Sequence, residues 1–95
     1  MPTLQELTER VRPMAANLAR PVIIDLGETG LIHITDGTID HDDGPADCRI
    51  KLSAESFESL IDGSLDPTMA YMTGQLAVDG DMGLALQLSS ALRRT

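Results

Sequence analysis

One segment near the C-terminus, Leu65–Leu92, constrains the fold most strongly, because three secondary-structure elements begin or end within it. Asp66-Pro67 predicts a helix start, with the aspartate as N-cap and the proline at the first helical position. Gly74 predicts a left-handed residue that ends this short helix. The alternation of apolar and polar residues over Gln75–Asp79 then predicts a strand, so the segment is predicted to form a helix, a strand and a helix.

The last helix, predicted over Met82–Leu92 with Asp81 as its N-cap, carries apolar residues on two sides. At about 100° per residue, one wide arc is formed by Leu84, Ala85, Leu88, Ala91 and Leu92. Met82 and Leu86 form a second, narrower stripe on another side of the helix. A helix packed on a sheet needs only one apolar face. The second stripe is therefore either buried as well or lines a cavity for an apolar ligand, and the pattern leaves both interpretations open.

Upstream of this segment, the sequence predicts a helix, four strands and a further helix. Thr3–Glu6 is a capping box that starts the first helix, and Pro13 predicts a kink there or the start of a second short helix ending at Ala19. Strands are predicted over Val22–Leu26 and Leu31–Thr35, around Ile39, and over the alternating residues Cys48, Ile50 and Leu52. Because turn residues separate these strands, we expect an antiparallel meander.

This order of elements predicts one α+β domain over residues 1–95, with helices covering one face of the sheet. Ser53 as N-cap and Gly63 as the terminating residue delimit the helix that follows the first four strands. Ninety-five residues suffice for a single small core. Aromatic residues make up only 2% of the chain, so Leu, Ile, Val and the five Met residues must fill that core.

Charge and hydropathy disfavour several classes of partner. The formal net charge of −8 disfavours nucleic acids and electrostatic docking on anionic membranes. No apolar run approaches the roughly twenty residues of a membrane span, and no secretory signal pattern is present. The single cysteine excludes an internal disulfide, which fits a reducing compartment. We therefore expect no nucleic-acid partner, no stable membrane insertion and a cytoplasmic location.

The residue types that most often perform catalysis or bind metals do not form a recognisable motif. The acidic turn Asp40–Gly44 lacks the ligand spacing of an EF-hand and is interpreted as a solvated loop. A zinc site formed by His33, His41 and Cys48 is disfavoured, because His33 and Cys48 are predicted on opposite faces of the sheet. A small hydrolase would depend on one of these two residues, but Cys48 lies in an apolar alternation typical of a core position. We expect no catalytic residue, no metal and no cofactor.

Binding of an apolar molecule is the better supported class of function. The candidate lining residues lie on three predicted helices: Phe57, Leu60, Ile61, Met69, Met72, Met82 and Leu86. Each methylene of a ligand buried against them would contribute about 0.8 kcal/mol. The alternative interpretation is that all of these residues belong to the ordinary core.

Four parts of the chain resemble the sterol carrier protein-2 (SCP-2) family: Ala46–Ser53, Phe57, Gly63–Leu76 and Gly80–Leu88. They are similar to the family's A-D-C/A-x-I/L strand, its F-x-x-L helix, its G-K-L-x-P-x-x-A-F/Y-M/F-x-G-K-L segment and its G-D/N-M-G-L-A-x-K-L helix. The resemblance implies a five-stranded, mostly antiparallel sheet covered by helices, with an apolar tunnel between them. It also implies non-enzymatic binding or transfer of sterols, fatty acids, acyl-CoA or other lipids.

Carried over by position, the resemblance also implies which residues line the tunnel: Phe57, Leu60, Met69, Met72, Met82 and Leu86. Ser64, Gln75 and Gln87 replace lysines of the common family pattern, and this departure favours an uncharged lipid over acyl-CoA. The short N-terminal part with Pro13 implies a tunnel whose cover is reduced, absent or completed by a second subunit.

An interaction module is the alternative function. In that case the same apolar surface would form a homodimer or partner interface without a ligand. An exposed apolar patch of several hundred Å2 would favour such an interface, whereas a closed cavity would favour a ligand.

Overall fold

Five strands form one mixed sheet, and four α-helices and a short 3-10 helix (Gly27–Thr29) accompany it in the computed structural model over its described residues. These are residues 3–16, 18 and 20–92, without the side chains of Met14 and of residues 89–92. The helices are α1 (Leu4–Ala15), α2 (Ala54–Asp62), α3 (Pro67–Met72) and α4 (Met82–Leu92). The strands are β1 (Val22–Asp25), β2 (Leu31–Thr35), β3 (Thr38–Asp40), β4 (Cys48–Leu52) and β5 (Leu76–Gly80). The predicted α+β fold is confirmed.

The strand order of the sheet is β3-β2-β1-β4-β5. Three strand pairs are antiparallel, whereas β1 and β4 are parallel, with Ile24 beside Ile50. The five-stranded, mostly antiparallel sheet is thus confirmed, but the predicted meander of the first four strands is wrong. After β3 the chain returns to pair β4 with β1, and the Asp47 N–H donates to the Pro21 carbonyl at 2.9 Å where this pairing begins.

One face of the sheet carries the hydrophobic core. On this face Val22 lies between Ile34 and Cys48, and Ile24 lies between Ile32 and Ile50. The helices add buried side chains to the same core: Leu7 and Val11 from α1, Phe57, Leu60 and Ile61 from α2, and Leu84 and Leu88 from α4. Cys48 is buried among them, as its apolar alternation predicted. The core therefore fills the space between one sheet face and the helices.

The acidic loop after β3 packs against the other face of the sheet. His33 points away from the core, as predicted, but its side chain is buried rather than solvated. The carbonyl oxygens of Asp42 and Pro45 lie 3.2 Å and 3.0 Å from its two ring nitrogens. A Cβ at Gly44 would lie 3.1 Å from the same ring. Residues 40–43 are exposed, so the interpretation of this segment as a solvated loop is confirmed, but its backbone also covers His33.

Capping residues set both ends of α2 and the start of α4 where the sequence predicted them, whereas Asp66 at the start of α3 makes no side-chain cap hydrogen bond. The Ser53 hydroxyl accepts a hydrogen bond from the Ser56 N–H at 3.0 Å, and Gly63 ends α2 with a φ of 82°. The Asp81 carboxylate accepts a hydrogen bond from the Leu84 N–H at 3.0 Å, which starts α4. These side chains replace intrahelical partners that the terminal backbone groups lack.

The first helix continues through its proline. The Thr3 hydroxyl accepts a hydrogen bond from the Glu6 N–H at 3.1 Å, so the predicted capping interaction is present. Pro13 lies inside α1, which ends at Ala15, so it does not begin a second helix. Ala19, the predicted end of that second helix, lies outside the described residues, and the predicted kink stays a prediction. A proline removes a hydrogen bond to the carbonyl four residues earlier. Here the missing bond would have gone to the carbonyl of Glu9, and the helix ends two residues after the proline.

Candidate functional site

An apolar groove lies between α3, β5 and α4. Its volume is about 240 Å3. The lining residues are Pro67, Thr68 and Tyr71 from α3, Leu76 and Val78 from β5, and Met82, Ala85 and Leu86 from α4. A wider depression of about 660 Å3 beside α1 is lined mainly by polar and charged side chains, including Glu6, Glu9 and Arg10. We take the α3–α4 groove as the candidate site because its lining is apolar.

The second apolar stripe of α4 faces this groove. Leu84 and Leu88 of the wide arc are buried in the core, whereas Met82 is 39% and Leu86 is 49% exposed. The two exposed residues are four positions apart, so they lie one above the other on the same side of the helix. Their side chains form one wall of the groove. The helix therefore has the two separate apolar sides that the sequence predicted.

Helix α3 forms the opposite wall and is only lightly anchored. It begins with Asp66 as N-cap and Pro67 at the first position, and Ala70 is its one buried residue. Tyr71 lines the groove and is half exposed. Met69 and Met72 are 54% and 74% exposed and stand outside the groove lining. The five large hydrophobic side chains that are exposed in the described part of the chain all lie on α3 and α4.

The groove brings together only some of the residues predicted to line a binding site. Met82 and Leu86 line it, whereas Met69 and Met72 lie on the outer surface of α3. Phe57, Leu60 and Ile61 of α2 lie in the closed core between the helices and the sheet. Contact of any of these seven residues with a ligand stays a prediction.

Several lining residues escaped the sequence analysis. Leu76 and Val78 lie on the same face of β5, beside Leu52 and Ile50 of β4. Their alternation with polar or small residues is visible in the sequence. The remaining additions are Pro67, Thr68, Tyr71 and Ala85. Pro67 and Tyr71 are four residues apart on one helix and so share a face. Strand alternation and this helical spacing are the signals that could have identified the groove.

The start of α4 is fixed electrostatically beside the groove. The Leu84 N–H and then the Arg20 guanidinium hold the pKa of Asp81 below its usual value. Arg20 donates to the Asp81 carboxylate at 2.7 Å and to the Asp47 carboxylate at 2.9 Å. The hydrogen bond to Asp47, followed by that to Asp81, raises the pKa of Arg20. These bonds tie the first turn of α4, and with it Met82, to the beginning of β4.

The one cysteine is placed as a core residue and not as a nucleophile. Burial, supported by the charges of Asp81 and Asp79, raises the pKa of the Cys48 thiol. A thiol with a raised pKa remains protonated at neutral pH, and the protonated form is a poor nucleophile and metal ligand. Within the described residues, no three His, Cys, Asp or Glu side chains are grouped so that they could hold a metal ion.

The groove is an open depression and not an enclosed tunnel. Met82, Leu86 and Tyr71 are each partly exposed along it. Its volume of about 240 Å3 also lies below the roughly 300–1,000 Å3 typical of pockets that hold a whole small molecule. The predicted tunnel therefore stays a prediction.

The sequence and the fold place the chain in a known family. The model of the SCP-2 sterol transfer family matches residues 3–93. The chain belongs to that family. Hydroxysteroid dehydrogenase-like protein 2 from Danio rerio is 43% identical over 47 residues, which cover 50% of this chain and 11% of that protein. The chain thus corresponds to a small part of the length of this relative, which fits a shared SCP-2 domain.

Solved SCP-2 structures share the fold over nearly the whole chain. Sterol carrier protein-2 from Aedes aegypti in complex with palmitate has a TM-score of 0.79 at 10% identity, covering 97% of this chain and 96% of that protein. Sterol carrier protein 2 from Yarrowia lipolytica, in its apo form, has a TM-score of 0.71 at 22% identity, covering 90% of this chain and 76% of that protein. At these identities the likeness shows the fold alone.

Proposed function

We propose that this SCP-2 domain binds an apolar lipid-like molecule, of the sterol, fatty acid or fatty acyl class, and carries it without converting it chemically. The observation that carries the proposal is the uncharged groove of α3, β5 and α4, in which Met82 and Leu86 are exposed. When an apolar ligand covers exposed apolar side chains in a concave surface, apolar area is removed from water and the free energy of the complex is lowered. Family membership favours a lipid as that ligand, and the palmitate complex of the mosquito relative supports the same class.

With a volume of about 240 Å3, the groove is too small for a whole long-chain lipid. Binding therefore also needs space in the core beneath the groove. We propose that α3 moves outward to admit the remainder of the ligand. Only Ala70 buries a side chain of this helix, and the glycines on either side, Gly63 and Gly74, have φ values of 82° and 81°. A helix with few buried contacts belongs to the least stable part of a fold. Phe57, Leu60 and Ile61 are then the proposed inner lining, whereas Met69 and Met72 are proposed to cover the bound lipid.

A carrier needs no catalytic group, and we propose none. The relative named as a dehydrogenase shares 11% of its length with this chain, so that name does not assign its activity here. Within the described residues, the buried Cys48 and the carbonyl-bound His33 offer no nucleophile and base facing the groove. We propose that the ligand leaves unchanged.

An interface function is the competing proposal for the same surface. Met69 and Met72 are exposed beside the groove and would suit a homodimer or partner contact. Family membership makes the lipid carrier the function that we favour. In the described residues, no helix is long and apolar enough to cross a membrane. A cytoplasmic location and a homodimer remain predictions.

Transfer of lipid between vesicles tests the carrier function. Donor vesicles of a zwitterionic phospholipid containing a fluorescent sterol are mixed with acceptor vesicles of the same phospholipid. We expect the rate of sterol transfer to increase in proportion to the protein concentration. A heat-unfolded sample of the same protein serves as the control. A transfer rate that the folded protein leaves unchanged would argue against the carrier proposal.

A further inference from the structure

We infer that the groove selects lipids with an uncharged polar end, an alcohol or an ester, over lipids that end in a carboxylate. This inference rests on the proposed lipid-binding function and names the chemical class of its ligand. It depends on the distribution of charge around the groove. It predicts a preference different from that suggested by the palmitate complex of the mosquito relative.

The groove lining contains hydroxyl groups but no charged side chain. Thr68 and Tyr71 contribute the two hydroxyls, and the other lining residues are apolar. A hydroxyl group both donates and accepts hydrogen bonds, so it can pair with an alcohol or with the carbonyl oxygen of an ester. A carboxylate placed among apolar side chains without a counter-ion loses hydration that these neighbours do not replace. The lining alone therefore favours a neutral ligand.

The positively charged side chains in the described part of the chain are not available to neutralise a bound carboxylate. Each arginine in the described part of the chain already pairs with a carboxylate: Arg10 with Asp62, Arg12 with Glu9, Arg20 with Asp47 and Asp81, and Arg49 with Asp25 and Asp43. Lys51 alternates with Ile50 and Leu52 along β4, so it lies on the sheet face opposite to Leu76 and Val78. None of these five cations lines the groove.

Two helix N-termini adjoin the groove, and each has an aspartate as its capping residue. An N-terminus attracts anions because its first N–H groups lack partners. In α4 the Asp81 carboxylate already accepts the Leu84 N–H, and in α3 the first residue is a proline with Asp66 as N-cap. These carboxylates, together with the net charge of −8, repel a further anion. The helix ends therefore do not reverse the preference for a neutral ligand.

A competition among three probes of equal chain length tests the inference. The protein, freed of lipid, is incubated at pH 8 with equal low concentrations of 1-hexadecanol, methyl palmitate and palmitate. Lipid that elutes with the protein is extracted and quantified by mass spectrometry. We expect the alcohol and the ester to exceed palmitate at least tenfold. Bound palmitate in amounts equal to or above the alcohol would overturn the inference and leave the carrier function standing. Absence of all three from the protein would also overturn the inference, and the carrier function would then be decided by the sterol transfer assay.

A charge placed in the groove tests the same inference in a second way. Met82→Arg is expected to lower the amount of bound hexadecanol at least tenfold relative to bound palmitate, so that the preference for the alcohol is largely lost. Gln87→Arg adds the same charge at an exposed position of α4 outside the groove lining and is expected to keep the preference of the original protein. If Met82→Arg leaves the ratio unchanged while its circular dichroism matches that of the control, charge in the groove does not set selectivity and the inference is wrong.

Discussion

Gly80→Ala is expected to destabilise the domain by about 3 kcal/mol, through steric overlap and backbone strain together. Gly80 pairs with Cys48 at the end of β5 and has a φ of 111°. A Cβ at this position would collide with the carbonyl oxygen of Asp47 and lie 3.1 Å from the Cys48 Cα. Both neighbours are backbone atoms, at the start of β4 and just before it, so they cannot move aside as a flexible side chain would. The midpoint of urea unfolding measures the loss.

Gly74→Ala is the matched control for this prediction. Gly74 also has a positive φ, 81°, but a Cβ there would meet no atom within 4 Å. Its substitution should therefore cost about 1 kcal/mol, from the left-handed conformation alone. Equal stability of the two variants would show that the approach of β5 to Asp47 is not as close as described.

Leu86→Asp is expected to lower the affinity for 1-hexadecanol at least tenfold while leaving the fold intact. Leu86 lines the groove and is 49% exposed, so a carboxylate there stays hydrated in the free protein but removes apolar contact with a ligand. Displacement of a neutral fluorescent dye by the alcohol measures the affinity. Thermal unfolding checks that the variant is folded.

Gln87→Asp separates the groove from the rest of the helix. It places the same residue type, with the same helix propensity and charge, at the next position, which is exposed and outside the groove lining. We expect this variant to bind hexadecanol as the original protein does. A matching loss of affinity in both variants would indicate an effect on α4 as a whole, and unchanged binding in both would place the ligand elsewhere.

The helices could be predicted from the sequence because local chemistry sets their ends. Ser53 and Asp81 cap α2 and α4 through hydrogen bonds to residues three positions later, and Gly63 ends α2 in the left-handed conformation. Each of these interactions lies within one turn of the chain. The apolar periodicity then selected the buried side of each helix.

The pairing of β1 with β4 could not be read from the same signals. Alternation of apolar and polar residues identifies a strand and its buried face, but it does not identify the neighbouring strand. Ile24 and Ile50 lie side by side although 26 positions separate them in the sequence. Burial of His33 escaped prediction for a related reason, because the carbonyl oxygens that contact it belong to a loop from outside its strand.

The candidate site was predictable only in part. Met82 and Leu86, which line the groove, could be predicted because they form a second apolar stripe on α4, apart from the arc that faces the core. Phe57 and Leu60 follow the same helical periodicity, yet they lie in the closed core. Periodicity shows that a helix face is covered, and it does not distinguish cover by protein from cover by a ligand.

Native mass spectrometry of the protein purified without detergent tests the central claim most directly. The adduct, if one is present, is then extracted with solvent and its lipids are analysed. The carrier account predicts one lipid bound to each chain, with an alcohol or ester end. Bare protein at the mass of a dimer, with no uptake of added 1-hexadecanol, would contradict that account and assign the apolar surface of α3 and α4 to a protein interface.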